Sequence, residues 1–258
     1  MHRKVSDWGG NIAAFAVVIM VNAMANGLPI NNQTTGEVSA KYPSLFTPAG
    51  FTFSIWGLIY LSLAVFVIYQ ALPAQRDNAT IAAIGRLFIL NCIANAAWIF
   101  AWHYDLLVLS LILMAVILLS LVGIYRFLNA SEDVVPAGQR WCVQLPFSLY
   151  TAWITVATIA NISVVQLALG WDDLGMSAVN WTILKLALAG AIAAIVVMRR
   201  GDLAFGFVVA WAAFGIMVNQ ARIPAVAGAA TMLTTLILLL SMAQFLRRRK
   251  AAAGRKSI

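Results

Sequence analysis

Charged side chains are scarce in this chain of 258 residues, since Asp, Glu, Lys and Arg together make up only 10% of it. A soluble domain usually carries about a quarter charged residues. Hydrophobic residues, in contrast, account for 62% of the chain. A surface with so few charges could not keep a globule of this size dissolved in water, so the composition excludes a soluble protein and indicates one embedded in lipid.

Cysteine and histidine are equally rare, with two of each. Cys92 and Cys142 lie at or within apolar segments and form no CxxC motif, so we expect neither a disulfide framework nor a metal site. His2 and His103 are far apart along the chain. Hydrolytic and metal-dependent enzymes need clustered His, Asp, Glu or Cys. The sequence therefore predicts a protein that is not an enzyme and needs neither cofactor nor metal.

Long apolar runs take up most of the sequence. Most of them are close to the ~20 residues that cross a ~30 Å hydrocarbon core as a helix, although the seventh is shorter. Because the runs are continuous rather than alternating, they exclude a β-barrel. The sequence thus predicts an all-α, multi-pass membrane bundle of about eight transmembrane helices. The eight runs lie at residues 11–29, 51–72, 81–102, 106–127, 142–165, 177–198, 203–219 and 224–246.

The net charge of +8 is distributed as a topology signal rather than as a nucleic-acid-binding surface. With the N-terminus placed in the cytoplasm, fourteen of the 17 basic residues fall on the inner side, six of them in the tail at 247–258. Lys41 and Arg222 fall on the outer side, and Lys185 lies within a helix. The positive-inside rule describes this asymmetry. We therefore expect a cell (inner) membrane location, two cytoplasmic termini, lipid as a partner and no nucleic acid.

A second interpretation of the N-terminus stays open. A basic start precedes an apolar run, and Ala23-Met24-Ala25 is similar to a signal-peptidase site. Cleavage of residues 1–25 would leave seven spans and an external N-terminus.

Polar and aromatic residues recur along one face of three predicted helices, although a lipid-facing helix needs only aliphatic side chains. At ~100° per residue, the observed spacings of three, four, seven and eleven keep their members on one face. These stripes are Phe53, Trp56 and Tyr60 in the second run, Asn91, Asn95, Trp98 and Trp102 in the third, and Tyr150, Trp153, Ala157 and Asn161 in the fifth, with Thr158 beside the last.

Each stripe alone is explained by helix packing, in which Asn and Thr bond across helices at ~1 kcal/mol each, or by Trp anchoring at the membrane interface. Three stripes on neighbouring spans favour another interpretation. If they converge, they line a cavity of indole, phenol and amide groups suited to a flat, mostly apolar ligand.

The same residues carry a family resemblance. Residues 152–161 match the pattern A-W-x-x-x-A-T-x-x-N, and residues 95–100 match N-x-x-W followed by F. Residues 56–60 are similar to W-[GST]-x-L-Y, with Ile59 in the place of the leucine. With Pro43, Ser44 and Pro48 in the first loop, these motifs resemble the tryptophan-rich sensory protein/translocator protein (TspO/MBR) family over residues 11–165.

This resemblance implies a five-helix bundle that binds porphyrins, or in some members sterol-like molecules, near its outer loop, and that often forms homodimers. By position, its pocket residues would include Trp56, Asn95, Trp98 and the fifth-helix motif. The loop departs from the family pattern, because Tyr42 and Phe46 stand where the family has tryptophan. The full set of expected ligand-binding residues is Trp56, Tyr60, Asn91, Asn95, Trp98, Tyr150, Trp153, Ala157, Thr158, Asn161 and Lys185.

Lys185 is included because it lies near the middle of its apolar run, where a charge usually faces a cavity or a partner. Candidate partners are Asn carbonyl groups or a ligand carboxylate, and a lysine that extends along its stem to the interface is an equal alternative.

The sequence therefore predicts three regions and one main function. The regions are a TspO-like five-helix bundle at 1–165, three additional transmembrane helices at 166–246 and a basic tail at 247–258. The predicted function is a receptor or carrier that binds a hydrophobic, porphyrin-like ligand for sensing or translocation. The alternative is a small-molecule transporter with another substrate, although broken helices in matching positions of two halves are lacking. A retinal protein built on Lys185 is more remote, since an intramembrane carboxylate is lacking.

Overall fold

Eight long helices form the protein in this computed structural model, which describes residues 5–28, 30–130, 135–171 and 174–254. They are α1 (Val5–Gly27), α2 (Ile55–Ala71), α3 (Ala79–His103), α4 (Leu107–Leu128), α5 (Leu145–Ala168), α6 (Ala178–Arg200), α7 (Leu203–Asn219) and α8 (Pro224–Gly254). Each contains one of the eight apolar runs almost completely. The predicted all-helical membrane bundle is therefore confirmed.

Seven segments are long and apolar enough to cross a membrane, one of them formed by α2 together with the 3₁₀ turn Gly50–Ser54 before it, and helix α7 is the exception. At 1.5 Å per residue, its 17 residues extend about 26 Å, slightly less than a ~30 Å hydrocarbon core. It is packed against α5, α6 and α8, and small residues permit this close contact. A Cβ atom added at Gly206, for example, would lie only 2.7 Å from Ser241 Oγ on α8.

Local sequence signals set the helix ends. The side chains of Asn78, Ser177 and Asp202 accept hydrogen bonds from backbone N–H groups at the starts of α3, α6 and α7. Gly201 ends α6 in the left-handed conformation, with φ of 63°, which glycine adopts without strain. Just before α5, residues 140–144 form a π-helical turn next to Pro146, which cannot donate a helical hydrogen bond.

The first five helices form a ring in the order α2, α1, α3, α4, α5, which closes through contact between α5 and α2. The last three form a layer outside it and contact the ring mainly through α7 on α5. One hydrophobic core extends through both parts, because Phe66 and Phe147 of the ring belong to the same buried cluster as Phe205 and Leu186 of the layer.

A long loop at residues 30–54 covers one end of the ring, which we call the loop end, and the opposite end is the tail end. The loop contains a short helix, Thr35–Ala40, and a 3₁₀ turn, Gly50–Ser54. The N-terminal Arg3 and Lys4 and the last tail residues Arg255 and Lys256 lie outside the described residues.

Candidate functional site

The loop end contains a partly open cavity of about 660 Å³ between α1, α2, α3 and the long loop. We call it the aromatic cavity. Its volume lies within the ~300–1,000 Å³ that is usual for small-molecule sites. It is lined by Ile19, Asn22, Ala23, Asn26, Thr34, Thr35, Gly36, Gly50, Phe53, Trp56, Tyr60, Asn95, Trp98 and Ile99.

A smaller cavity of about 70 Å³ lies beside it, deeper between α3, α4 and α5. We call it the inner cavity. It shares Thr35, Phe53, Trp56 and Trp98 with the aromatic cavity, so these side chains form the partition between the two spaces. Its other lining residues are Ser39, Thr47, Pro48, Trp102, Met114, Trp153, Val156, Ala157, Ala160, Asn161 and Val164.

Aromatic rings in mutual contact form the partition. Trp56 stacks on Tyr60 with ring centroids 5.2 Å apart, and it meets Tyr150 and Trp153 edge-on at 5.9 and 6.2 Å. Trp98 stacks on Trp102 at 5.4 Å. Edge-on and offset contacts of this kind hold aromatic faces in fixed directions. Members of the stripes on the second, third and fifth helices thus lie in mutual contact.

Amide groups fix the positions of these rings. Asn95 donates a hydrogen bond to the Tyr150 hydroxyl at 2.8 Å, and its carbonyl oxygen accepts one from Asn22 at 2.9 Å. Asn95 and Tyr150 are buried. Their hydrogen bonds therefore avoid the free-energy cost of polar groups left unpaired in an apolar medium. This chain of contacts links α1, α3 and α5 directly behind the cavity wall.

Asn161 has a similar role at the inner cavity. Its carbonyl oxygen accepts a hydrogen bond from Trp98 Nε1 at 3.2 Å, and its amide donates to Ser110 Oγ at 3.1 Å. Ser110 in turn donates to the Leu107 carbonyl at 2.7 Å. One buried amide therefore joins α3, α4 and α5 and sets the plane of the Trp98 ring.

Three polar atoms of the cavity walls lack a hydrogen-bond partner among the described residues. They are Thr35 Oγ1, Tyr60 Oη and Trp153 Nε1, and all three are buried. An unsatisfied buried polar group costs about 1–3 kcal/mol. These atoms are the polar positions of the two cavity walls that contacts within the described residues leave unpaired.

Other predicted site residues serve helix packing. Asn91 donates to Ser120 Oγ at 3.0 Å and to the Ile117 carbonyl at 3.2 Å, which ties α3 to α4. Thr158 bonds back to the Ile154 carbonyl of its own helix at 2.7 Å. Neither residue lines the aromatic or the inner cavity.

Lys185 also lies away from both cavities. Its Nζ donates to Gln166 Oε1 at 2.5 Å and lies 6.0 Å from the centroid of the Trp181 ring. Gln166 is near the loop end of α5, so the lysine reaches from α6 towards that membrane surface. This geometry agrees with the interpretation of a lysine side chain extended along its stem towards the interface. Asn carbonyl groups were the expected partners, whereas the side-chain carbonyl that accepts the hydrogen bond is that of Gln166.

Some lining residues were missed in the sequence. Asn22 and Asn26 lie four residues apart in the first apolar run, and the stripe criterion applied there would have found them. Loop residues Thr34, Thr35 and Gly36 carry no such periodic signal, because their place in the wall depends on how the loop folds over the ring.

Polar contacts attach the first half of the loop to the turn between α3 and α4. Asp105 accepts from Lys41 Nζ at 2.7 Å and from the Tyr42 hydroxyl at 3.1 Å. Partial burial, and then the adjacent Asp105 carboxylate, raise the pKa of Tyr42. Hydrogen bonds from the Thr34 backbone and side chain lower the pKa of Glu37, which closes a capping box on the loop helix.

The second half of the loop is attached to α7. Trp211 Nε1 donates to the Thr52 carbonyl, Asn219 Nδ2 to the Thr47 carbonyl, and the Ala49 N–H to the Gly215 carbonyl, each at 3.0 Å. The three α7 residues are spaced by four and therefore share one face. Because this half of the loop supplies Phe53 to both cavities, α7 positions part of their wall.

Acidic, histidine and cysteine side chains do not cluster at this site. Across the described residues, no group of three or more of them could hold a metal ion.

Comparison with known proteins gives one match. The family model described as TSPO-like protein matches residues 8–243. The match extends beyond the 11–165 region in which the motifs were found, and it includes helices α6 and α7 and most of α8. Neither the curated proteins nor the solved structures contain a significant match.

Proposed function

The chain belongs to the TSPO-like protein family, and from this premise we propose that it binds a flat, hydrophobic, porphyrin-like ligand in the aromatic cavity. Membership of this family supports a function of the membrane receptor or transporter type in general. The observation that carries the more specific proposal is the wall of stacked Trp and Tyr rings around a cavity of about 660 Å³ at the loop end.

Recognition would depend on stacking and shape. Trp56, Tyr60 and Trp98 offer ring faces and edges to an aromatic macrocycle. Asn22 and Asn26 of α1 add amide groups to the wall, where they could orient a polar edge of the ligand. Such a site requires no covalent step, so the proposed protein is a receptor or carrier and not an enzyme.

The experiment is a titration with protoporphyrin IX in lipid nanodiscs, followed by quenching of tryptophan fluorescence. Tyr60→Phe removes the unpartnered hydroxyl of a ring that lines the aromatic cavity, and Asn22→Leu removes an amide from the wall. Tyr69→Phe is the matched control, since Tyr69 lies at the tail end of α2, far from the cavity. We expect saturable quenching that is about fivefold weaker in affinity for each site variant, as one lost hydrogen bond of ~1 kcal/mol predicts.

Non-saturable quenching that is equal in all variants and in empty nanodiscs would show simple partitioning into lipid and would contradict the proposal. Sealed vesicles then separate binding from transport. Accumulation of the porphyrin inside them, under an imposed gradient, would assign the protein to the carriers.

The proposed location is the cell membrane, with both termini in the cytoplasm. Arg126, Arg199 and Arg200 lie at the tail end with the basic run 247–250, whereas Lys41 and Arg222 lie at the loop end. The positive-inside rule then places the loop and its cavity on the outer side. Labelling of single cysteines in the loop by an impermeant maleimide in intact cells tests this orientation.

A further inference from the structure

A second concave surface lies on the far side of the long loop from the inner cavity. This cleft of about 430 Å³ runs between loop residues 36–53 and the turn that follows α7. We call it the outer cleft. Its lining mixes apolar side chains such as Leu45 and Phe53 with the hydroxyl-bearing Ser39, Ser44 and Thr47, and Asn219 and Gln220 lie on the α7 side.

Gln220 is the informative residue of the outer cleft. It is only 9% exposed, yet its carboxamide makes no hydrogen bond within the described residues. Asn219, next to it, is already engaged with the Thr47 carbonyl. The Gln220 carboxamide, in contrast, opens onto the cleft, where its donor and acceptor are available to a bound molecule.

The outer cleft adjoins the ligand site, because it shares the lining residues Gly36, Gly50 and Phe53 with the aromatic cavity. Both glycines are exposed, and a Cβ atom added at either would meet no heavy atom within 4 Å. Side chains therefore do not close the border at these two positions, which leaves a passage through which a ligand could extend from one space into the other.

The cleft also lacks charge. The described residues that line it include no acidic or basic side chain. Lys41 nearby is paired with Asp105. Hydroxyl and amide groups without a counter-charge are suited to an uncharged hydrogen-bonding group rather than to an ion.

We propose that the outer cleft is a binding subsite for the uncharged, amide- or hydroxyl-bearing end of an amphiphilic ligand whose apolar body occupies the aromatic cavity. Gln220 is the residue that recognises this end. This inference rests on the proposed function, and it makes the C-terminal end of α7 part of the binding site.

Two pyrene probes with the same flat body test the assignment in nanodiscs, read out by energy transfer from tryptophan to pyrene. 4-(1-Pyrenyl)butyramide carries an uncharged amide end, whereas 1-butylpyrene carries none. Wild-type protein should bind the amide about fivefold more tightly, the affinity equivalent of one neutral hydrogen bond. Gln220→Leu should abolish this preference and leave the affinity for 1-butylpyrene unchanged.

Gln244→Leu is the matched control, because it makes the same substitution on α8 at the tail end of the bundle. It should keep the wild-type preference. Equal affinity of wild-type protein for both probes, with saturable binding retained, would overturn the subsite and leave the aromatic ligand site standing. Absence of saturable binding by either probe would overturn both proposals together.

Discussion

The attachment of the long loop to α7 depends on a glycine. Gly215 faces Thr52, whose side chain is fully buried. A Cβ atom at Gly215 would overlap Thr52 Oγ1 and lie 2.9 Å from its Cγ2 and 3.0 Å from its Cβ. Rotation of the threonine side chain cannot relieve the last contact, so Gly215→Ala should push the Gly50–Ser54 turn away from α7.

The expected cost follows from this geometry. Overpacking of a tight site costs about 1–3 kcal/mol. A displaced turn also strains the 3.0 Å hydrogen bonds from Trp211 Nε1 and the Ala49 N–H, each worth ~1 kcal/mol. Because the turn carries Phe53 into the cavity wall, porphyrin affinity should fall as well. If the free energy of loop attachment falls by ~1.4 kcal/mol, porphyrin affinity should fall about tenfold.

The assay combines thermal unfolding in detergent with the porphyrin titration in nanodiscs. Gly228→Ala is the control, since its added Cβ meets nothing within 4 Å. Thr52→Ala removes the two overlapping atoms, so the double variant Gly215→Ala/Thr52→Ala should recover much of both losses. If Gly215→Ala behaves like Gly228→Ala in both assays, the reasoning that α7 positions the cavity wall is refuted.

Three further outcomes are expected. Gly50→Leu places a side chain in open space between the aromatic cavity and the outer cleft. This variant should bind porphyrin about tenfold more weakly, with an unchanged unfolding temperature. Unchanged porphyrin affinity would argue against the passage between the two spaces. Asp202→Ala should lower the free energy of unfolding by about 2–4 kcal/mol, because Asp202 caps α7 and accepts hydrogen bonds from Tyr125 Oη at 2.7 Å and Ser148 Oγ at 2.6 Å. Ser177→Ala removes only the cap of α6 and should lower it by ~1 kcal/mol. The capping box of the loop helix should persist above the ordinary Glu37 pKa of 4.5 and be lost as the pH falls through the lowered pKa of Glu37. Protease cleavage of the loop should therefore increase only below this lowered pKa. In Thr34→Ala the cap is already broken, so cleavage of this variant should show no such increase.

The helices could be predicted from the sequence because membrane spans follow from composition and length alone. Each apolar run must satisfy its own backbone hydrogen bonds in lipid, and a helix does so without tertiary information. The tight turn at Tyr104 and Asp105 forces α3 and α4 to be antiparallel neighbours for the same local reason. Only the ends differ, as at the π-helical turn before α5, where Pro146 alters the hydrogen-bond register.

Part of the site followed from the same kind of argument. Trp56, Asn95 and Trp153 were found because helical spacing places each on a face, and the structure brings these faces together. Spacing could not separate residues that line a cavity from residues that pack behind it. Asn91 and Asn95 are four residues apart on one face, yet only Asn95 lines the aromatic cavity, because Ser120 of α4 meets the amide of Asn91.

The role of the last three helices was beyond sequence reasoning because it depends on contacts over long sequence separations. Trp211 bonds a carbonyl 159 residues away, and Asn219 bonds one 172 residues away. Neither contact leaves a local pattern in the sequence. Gly215, between these two residues, also has no distinguishing sequence signal, because its role depends on the contact with Thr52 in the folded protein. The family model, however, matches most of this region as well. Since α7 holds the wall that carries Phe53 and ends beside the outer cleft, removal of α6–α8 should alter ligand recognition, and a five-helix version of this chain would not reproduce its binding site.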